Sequence, residues 1–193
     1  MTTHRIWSLA TLVLLLLAGV SGSSPQSPAN GKDEDKKGDD KKKPVALEWS
    51  ALDKAVEKAS GEKKAILIDV YTDWCGWCKK MDKEVFVDPA VAGVLSSKFA
   101  LAKVNGESKA EFTFKGKKTD GIGIARAFGV RGYPAIIFLD SNGETLTMIP
   151  GFLDAEQFLP VVLFIGNREY EKMEWAAYLE SYNKTKKPAA GAK

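Results

Sequence analysis

The two cysteines of the chain, Cys75 and Cys78, are separated by only two residues. An apolar segment rich in β-forming residues, 65–71, precedes the pair, and a segment with helical character, 79–86, follows it. The pattern predicts a strand, a short turn and a helix that begins at Cys75. Unpaired backbone N–H groups and the helix dipole stabilise negative charge there, so the pKa of the Cys75 thiol should be low. These residues favour thiol–disulfide chemistry.

In that chemistry the two sulfurs have different tasks. Cys75, which the turn should expose, attacks a substrate disulfide and forms a mixed disulfide. Cys78, one turn later and expected to be more buried, then attacks the Cys75 sulfur and releases the reduced substrate. A spacing of two residues lets both sulfurs meet within one helical turn.

Other roles for a Cys pair fit these residues less well. A structural disulfide is possible in an exported protein, but a bridge that closes so short a loop removes little chain entropy and is readily reduced. Zinc usually takes four ligands, and the only further Cys or His in the chain is His4. Copper(I) delivery would usually need a His or Met beside the pair, where only Met81 is available. We expect no metal and no cofactor.

The composition is typical of a soluble globular protein. The chain has 193 residues, of which 45% are hydrophobic and 27% charged, enough for one domain with a sizeable core and tails. A formal net charge of +3 is too small to predict a nucleic-acid partner.

The first residues have the pattern of a secretory signal peptide. Arg5 precedes an apolar run, 6–20, which small residues follow. The run is shorter than the roughly 20 apolar residues that a membrane span needs. We therefore expect a signal peptide over 1–23, cleaved near residues 21–24, and export to the bacterial periplasm. An uncleaved membrane anchor is the alternative.

The charged segment that follows has nothing apolar to bury. Residues 24–44 contain Pro, Ser, Gly and a mixed run of Lys and Asp, so folding them would cost entropy without return. We expect a disordered linker there, with an electrostatic docking tail as the alternative. The folded domain should cover residues 45–183, and residues 184–193 should form a basic tail.

Within the domain, apolar periodicity predicts alternating helices and strands. Helices are expected over 52–60 ending at Gly61, over 79–86, from Pro89 behind the cap Asp88, over 124–128 ending at Gly129, from 155 behind the cap Asp154, and over 168–182. Strands are expected over 65–71, 99–105, 135–139 and 145–149.

Two connections matter for the fold. The last two strands should form a hairpin in which Asn142 and Gly143 supply positive φ angles, and residues 106–121 predict only a loop or insertion. Helices alternating with strands, followed by a hairpin, indicate the α/β class. We expect a mixed central sheet with helices on both faces and an added C-terminal helix.

This order of elements, with Trp-Cys-x-x-Cys after the first central strand, resembles the thioredoxin superfamily. The run Trp-Cys-Gly-Trp-Cys-Lys-Lys-Met, residues 74–81, is similar to that of exported thioredoxin-related proteins. The resemblance covers roughly residues 45–165. It implies a thioredoxin-like fold and a thiol–disulfide oxidoreductase.

The resemblance also implies three further site residues. Asp69, six residues before Cys75, matches a buried carboxylate of the family, and Lys103 matches its buried lysine. Pro134, in Gly-Tyr-Pro, matches the cis-proline that faces the cysteines. Cys78 must lose a proton when it attacks, and removal of the signal peptide leaves no histidine to accept it. Asp69 is the remaining candidate base, because burial would raise its pKa, and Lys103 would tune it by charge.

The substrate-binding face departs from the family pattern. Gly76-Trp77 replaces the common Gly-Pro between the cysteines, and Tyr133 precedes the cis-proline. Both positions tune redox potential and substrate choice. Pro134 should leave the Tyr133 backbone free to pair with an extended substrate, while Trp74 and Trp77 flank the sulfurs as an aromatic surface with Gly76 between them.

We therefore expect an exported protein-disulfide reductase that acts on protein substrates with disulfides. Outside the cytoplasm the surroundings are oxidising, so a reductase there needs electrons from a membrane-bound donor. A disulfide oxidase or isomerase is the alternative within this class. A non-catalytic binding module, using the fold, the charged linker and the C-terminal helix to hold a partner, is the alternative outside it.

Overall fold

The computed structural model describes residues 45–186. The predicted signal peptide over 1–23, the linker over 24–44 and the end of the basic tail, 187–193, lie outside the described residues. Within the described part, no helix combines the length and the apolar character needed to cross a membrane.

The described chain contains seven strands and six α-helices. The strands are β1 (Trp49–Ser50), β2 (Ala65–Tyr71), β3 (Phe99–Asn105), β4 (Phe112–Phe114), β5 (Lys117–Thr119), β6 (Ala135–Leu139) and β7 (Thr145–Pro150). The α-helices are α1 (Leu52–Glu62), α2 (Gly76–Lys80), α3 (Pro89–Lys98), α4 (Gly121–Ala127), α5 (Ala155–Gly166) and α6 (Trp175–Lys186). A π-helical segment, Met81–Val85, continues α2, and a 3-10 turn, Glu169–Glu171, precedes α6.

The central sheet has five strands in the order β1-β3-β2-β6-β7. β2 runs parallel to β3, from Ala65 opposite Phe99 to Tyr71 opposite Asn105, and antiparallel to β6. The side chains of β2 are buried on both faces because helices cover the sheet from both sides. The predicted mixed α/β sheet is confirmed.

The two faces of β2 belong to two core clusters. Ile66, Ile68 and Val70 pack into the cluster that contains residues of α1 and α4. The alternate position Leu67 packs into the cluster formed with α3, α5 and the π-helical segment. Asp69 has the same parity as Leu67, so the strand period directs it to this second face.

The predicted helix starts have the expected caps. Asp88 Oδ1 accepts hydrogen bonds from the backbone N–H groups of Ala90 and Val91, both at 3.0 Å, with Pro89 at the first helical position. Asp154 and Gln157 form a reciprocal capping box at the start of α5. Gly129 ends the α4 region with a φ of 67°.

The prediction of a loop over 106–121 is wrong in detail. This segment contains the hairpin of β4 and β5, and α4 already begins at Gly121, behind an Asp120 cap. The turn between the two strands is formed by Lys115 and Gly116, which both have positive φ angles. Strands of three residues are too short to show a period, and a Lys at a positive φ is a weak turn signal.

The 141–144 turn also differs from the prediction. Gly143 has a φ of 80°, but Asn142 does not adopt a positive φ. The Asp140 carboxylate accepts hydrogen bonds from the backbone N–H groups of Asn142 and Glu144, at 2.9 and 2.8 Å. This side-chain capping stabilises a longer turn than the two-residue type.

Two helix boundaries and one short strand also differ from the predictions. The C-terminal helix predicted over 168–182 is divided into the 3-10 turn and α6, since Arg168 has a left-handed φ of 57°. α1 continues past Gly61 to Glu62 and ends at Lys63, whose φ is 54°. β1 was not predicted, because a strand of two residues has no pattern of its own.

Candidate active site

The turn after β2 brings both cysteines to the start of α2. The Cys75 N–H donates to the Thr72 carbonyl at 3.1 Å, which closes the turn, and Cys75 occupies the N-cap position. Its Sγ accepts a hydrogen bond from the backbone N–H of Cys78 at 3.0 Å. The two sulfurs form a disulfide, with an S–S distance of 2.03 Å. The pair therefore lies where backbone N–H groups can stabilise a Cys75 thiolate after reduction.

The expected difference in exposure between the cysteines is not found. Cys75 is 3% exposed and Cys78 is 4% exposed, so the prediction of an exposed Cys75 is wrong for the oxidised protein. The surface beside the bridge is formed instead by Trp74 and Trp77, which are 67% and 56% exposed.

Asp69 is a buried carboxylate on the central strand. It is 1% exposed and pairs in register with Lys103 of β3, whose Nζ lies 3.0 Å from Oδ2. In residues 45–186 this ion pair is the one polar side-chain contact of the Asp69 carboxylate. Burial raises the pKa of Asp69 from its ordinary 3.8 to about 6, against the opposing attraction of Lys103. A carboxylate with this pKa can accept a proton near neutral pH.

Lys103 is shared between two carboxylates. Its Nζ donates a hydrogen bond to Oδ1 of Asp82, the second residue of the π-helical segment, in addition to its contact with Asp69. Burial lowers the pKa of Lys103, but the attraction of Asp69 and Asp82 is larger, so the net pKa is raised. Lys103 is therefore a permanent cation beside Asp69.

Aromatic rings surround the same ammonium group. The Nζ of Lys103 lies 5.0 Å from the ring centre of Trp49, 5.3 Å from that of Tyr71 and 5.8 Å from that of Phe86. Ring faces attract a cation while excluding water. The cage holds the ammonium in place.

Sequence reasoning missed Asp82 and this aromatic cage. Asp82 follows Cys78 by four residues, a spacing that places two side chains on the same face of a helix. That spacing was a usable signal for Asp82. The cage residues come from separate elements, and the tertiary fold alone brings them together.

Pro134 lies on the loop beside the cysteine turn. The Tyr133–Pro134 peptide bond is cis, and the Pro134 carbonyl accepts a hydrogen bond from the Gly151 N–H at 2.8 Å. The Tyr133 ring contacts Trp74 edge-on, with ring centres 6.1 Å apart, which joins this loop to the cysteine turn. In the described part of the chain, the Tyr133 backbone N–H and C=O have no backbone partner. The backbone is therefore available to an extended peptide.

Each exposed tryptophan has a partner that sequence reasoning missed. The indole N–H of Trp74 donates to both carboxylate oxygens of Glu107, at 3.1 and 3.0 Å. The Trp77 ring lies 5.2 Å from that of Phe152, and the Lys80 ammonium sits over both rings. These partners come from the loops after β3 and β7, so their approach depends on the folded sheet.

The two glycines at this surface have different surroundings. A Cβ at Gly76, between the cysteines, would meet nothing within 4 Å, so the surface is open there. A Cβ at Gly106 would lie 2.5 Å from the Tyr133 hydroxyl oxygen, so only glycine allows the tyrosine to pack this closely. Tyr133 thus takes its position from the loop after β3.

Comparison with known proteins places these features in a family. A family model described as a thioredoxin-like domain matches residues 52–166. The thiol:disulfide interchange protein DsbD of Haemophilus ducreyi is 37% identical over 98 residues, which cover 50% of this chain and 16% of that protein. The DsbD of Actinobacillus pleuropneumoniae is 33% identical over 102 residues, covering 52% and 16%. The chain thus matches about a sixth of the length of these relatives.

Solved structures share the fold at lower identity. A thioredoxin-fold protein from Helicobacter pylori has 23% identity and a TM-score of 0.57, over 64% of this chain and 82% of that one. A thioredoxin from Thermus thermophilus has 23% identity and a TM-score of 0.51, over 60% and 84%. At this identity the likeness shows the fold alone.

Proposed function

Because this chain belongs to the thioredoxin-like domain family, we propose that it is an exported thiol–disulfide oxidoreductase that reduces disulfides in protein substrates. The single observation that carries the proposal is the Cys75–Cys78 disulfide at the start of α2. The buried carboxylate of Asp69 on the preceding strand supports it. A buried carboxylate with a raised pKa, on the strand that leads into the cysteine turn, is expected at a functional site rather than at a purely structural disulfide.

The reaction moves two electrons from the dithiol to the substrate. The Cys75 thiolate attacks one sulfur of the substrate disulfide, whose other sulfur leaves as a thiolate, and a mixed disulfide forms. The Cys78 thiol gives its proton to Asp69 and attacks the Cys75 sulfur. The substrate leaves with both thiols reduced, and the protein holds the Cys75–Cys78 disulfide.

The surface around the pair suits an extended polypeptide. The free backbone groups of Tyr133 can form hydrogen bonds with a substrate strand, and the exposed rings of Trp74 and Trp77 can cover its apolar side chains. Gly76 leaves space for the mixed disulfide between these rings. We therefore take the substrates to be proteins that carry disulfides.

Export and electron supply complete the proposal. Residues 1–23 serve as a cleaved signal peptide, residues 24–44 tether the domain, and the basic tail predicted over 184–193 begins only after α6. The domain predicted over 45–183 ends within α6, which continues to Lys186. In an oxidising periplasm the disulfide must be reduced again, so a membrane-bound electron donor is the expected partner. The relatives named as thiol:disulfide interchange proteins support such an exchange.

The reduction potential tests the direction of transfer. We expect the Cys75–Cys78 couple to have a potential below about −200 mV, where the dithiol is a net donor to exposed disulfides. The measurement is equilibration with glutathione at defined ratios, with the redox state resolved by thiol alkylation. A strongly oxidising value, near −120 mV, would instead indicate the oxidase alternative.

Substrate trapping tests partners and location together. A Cys78→Ala variant of the full chain lacks the releasing thiol, so mixed disulfides through Cys75 should accumulate in the periplasmic fraction. Mass spectrometry of the adducts identifies the substrates and locates the mature N-terminus, which we expect near residues 21–24. A Cys75→Ala variant is the matched control and should form no such adducts. Retention of the adducts in the cytoplasm, with an uncleaved N-terminus, would refute export.

A further inference from the structure

We propose that Asp82 is a positioning residue, which shares the Lys103 ammonium with Asp69 and so weakens its hold on the Asp69 carboxylate, so that Asp69 can take the proton of Cys78. The inference rests on the proposed function and adds a residue to it. Asp82 touches neither sulfur nor substrate in this account. It acts on Asp69 through the shared lysine.

The contacts of Lys103 show that two carboxylates share it. Its Nζ donates a hydrogen bond to Asp82 Oδ1 and lies 3.0 Å from Asp69 Oδ2. An ammonium group has three N–H donors and one positive charge. The bond to Asp82 therefore occupies one donor and compensates part of the charge that would otherwise act on Asp69 alone.

The π-helical segment places Asp82 at this point. The Phe86 N–H donates to the Met81 carbonyl at 3.0 Å, which is the wider i to i+5 turn of this segment. Met81 and Val85 are buried against the sheet and anchor the segment, while Asp82 remains partly exposed beside Lys103. Short π-helical turns occur often at functional sites. Cys78 lies four residues before Asp82, so the helix links the releasing thiol to this carboxylate.

Few groups act on the charge of Asp69. Burial raises the pKa of Asp69, Lys103 of β3 lowers it, and Asp82 of the π-helical segment raises it. After reduction, the Cys75 and Cys78 thiols at the start of α2 are two further titratable groups of this helix, whereas its Lys80 and Glu84 are exposed and pair with each other. Loss of the charge at Asp82 would leave the ammonium to Asp69 alone, which would stabilise the Asp69 carboxylate. A more stable carboxylate is a weaker base for Cys78.

The test is an Asp82→Asn variant of the full chain in its reduced form. Carbon NMR of labelled aspartate carboxyl groups should show that the Asp69 midpoint moves to lower pH. Release of a preformed mixed disulfide near neutral pH should slow about threefold for each full pH unit by which the Asp69 midpoint falls, since the rate follows base strength with a slope of about one half. The first attack by Cys75 should be unchanged.

A matched control separates Asp82 from general charge effects. Glu84 lies in the same π-helical segment and pairs with Lys80 at 3.8 Å. Glu84→Gln removes the same charge and should leave both the Asp69 midpoint and the release rate unaltered. Asp82→Glu keeps the charge and should restore most of the rate. Should Asp82→Asn fold poorly, Asp82→Ser provides a second neutral variant for the same measurements.

The outcomes also separate this inference from the proposed function. An Asp69 midpoint that is equal in Asp82→Asn and the natural protein, or that moves equally in Glu84→Gln, overturns the role of Asp82. The midpoint is measured without turnover, so it does not depend on the enzyme reaction. Full activity of a Cys75→Ser variant would instead overturn the proposed function and leave the midpoint result standing.

Discussion

Replacing Cys75 with Ser should lower the turnover of a disulfide substrate by at least about a thousandfold, which is about 4 kcal/mol of activation free energy. A serine hydroxyl stays protonated near neutral pH and cannot form a disulfide, so the first step loses its nucleophile. The measurement is the steady-state reduction of a disulfide-linked peptide with an excess of a thiol reductant. Far-UV circular dichroism should show an unchanged fold.

The same sulfur-to-oxygen change at Cys78 is the matched control. Cys78→Ser should keep the first attack, because the Cys75 thiol and its helix position remain, but should stop at the mixed disulfide. A single rapid adduct without turnover is therefore expected. If Cys75→Ser kept more than about a tenth of the natural rate, the nucleophile would be misassigned and the binding-module alternative would gain support.

Replacing Asp69 with Asn should stabilise the oxidised protein by up to about 3 kcal/mol above about pH 7. The folded-state pKa of Asp69 is about 6, raised by burial above its ordinary 3.8. A raised pKa means that folding is favoured while the group is protonated. The contribution is fully present below the unfolded-state pKa and is lost as the pH rises through about 6. Asparagine carries no charge at any pH, so the variant does not lose this part of its free energy of unfolding when the pH rises.

Urea unfolding across the acid-to-neutral range measures this difference. The free energies of unfolding of Asp69→Asn and the natural protein should converge below the ordinary Asp pKa of 3.8, diverge as the pH rises from there to about 6, and differ by a constant amount at higher pH. Glu57→Gln is the control, because Glu57 is an exposed carboxylate of α1 and should give a constant difference. If the free energy of unfolding of Asp69→Asn were higher by the same amount at every pH, side-chain packing, and not ionisation, would be responsible.

A destabilising carboxylate in the core is expected where function requires it. Asp69→Asn should also slow the release of mixed disulfides, because the variant has no base to accept the Cys78 proton. The stability gained and the rate lost would then come from the same buried charge. Natural proteins tolerate such conflicts mainly at functional sites.

Local patterns in the sequence were sufficient for most of the fold. The apolar run of β2, the Asp88-Pro89 helix start and the Asp154 capping box depend on interactions within a few residues, so each predicts its own element. The spacing of Cys75 and Cys78 determines the disulfide for the same reason, since one helical turn separates them. Short elements such as β4 and β5 could not be predicted, because a strand of three residues is too short to show a hydrophobic period.

The site beyond the cysteines depended on contacts between distant segments. Asp69 and Lys103 were identified only through the family resemblance, and their ion pair requires the parallel register of β2 and β3. The hydrogen bond from Lys103 to Asp82 requires the π-helical turn to lie against that strand pair. No pattern along the chain encodes these distances, because they result from how the helix packs on the sheet.

The exposure of the sulfurs was likewise decided by the folded structure. Local spacing and hydrophobic period were enough to predict the reacting atoms, the strand-turn-helix around them and the order of the main elements. Tertiary packing alone decided that the oxidised Cys75 is covered, that Trp74 and Tyr133 meet, and that one lysine serves two carboxylates. Burial and charge sharing are properties of groups brought together from different segments, so they arise only when the chain has folded.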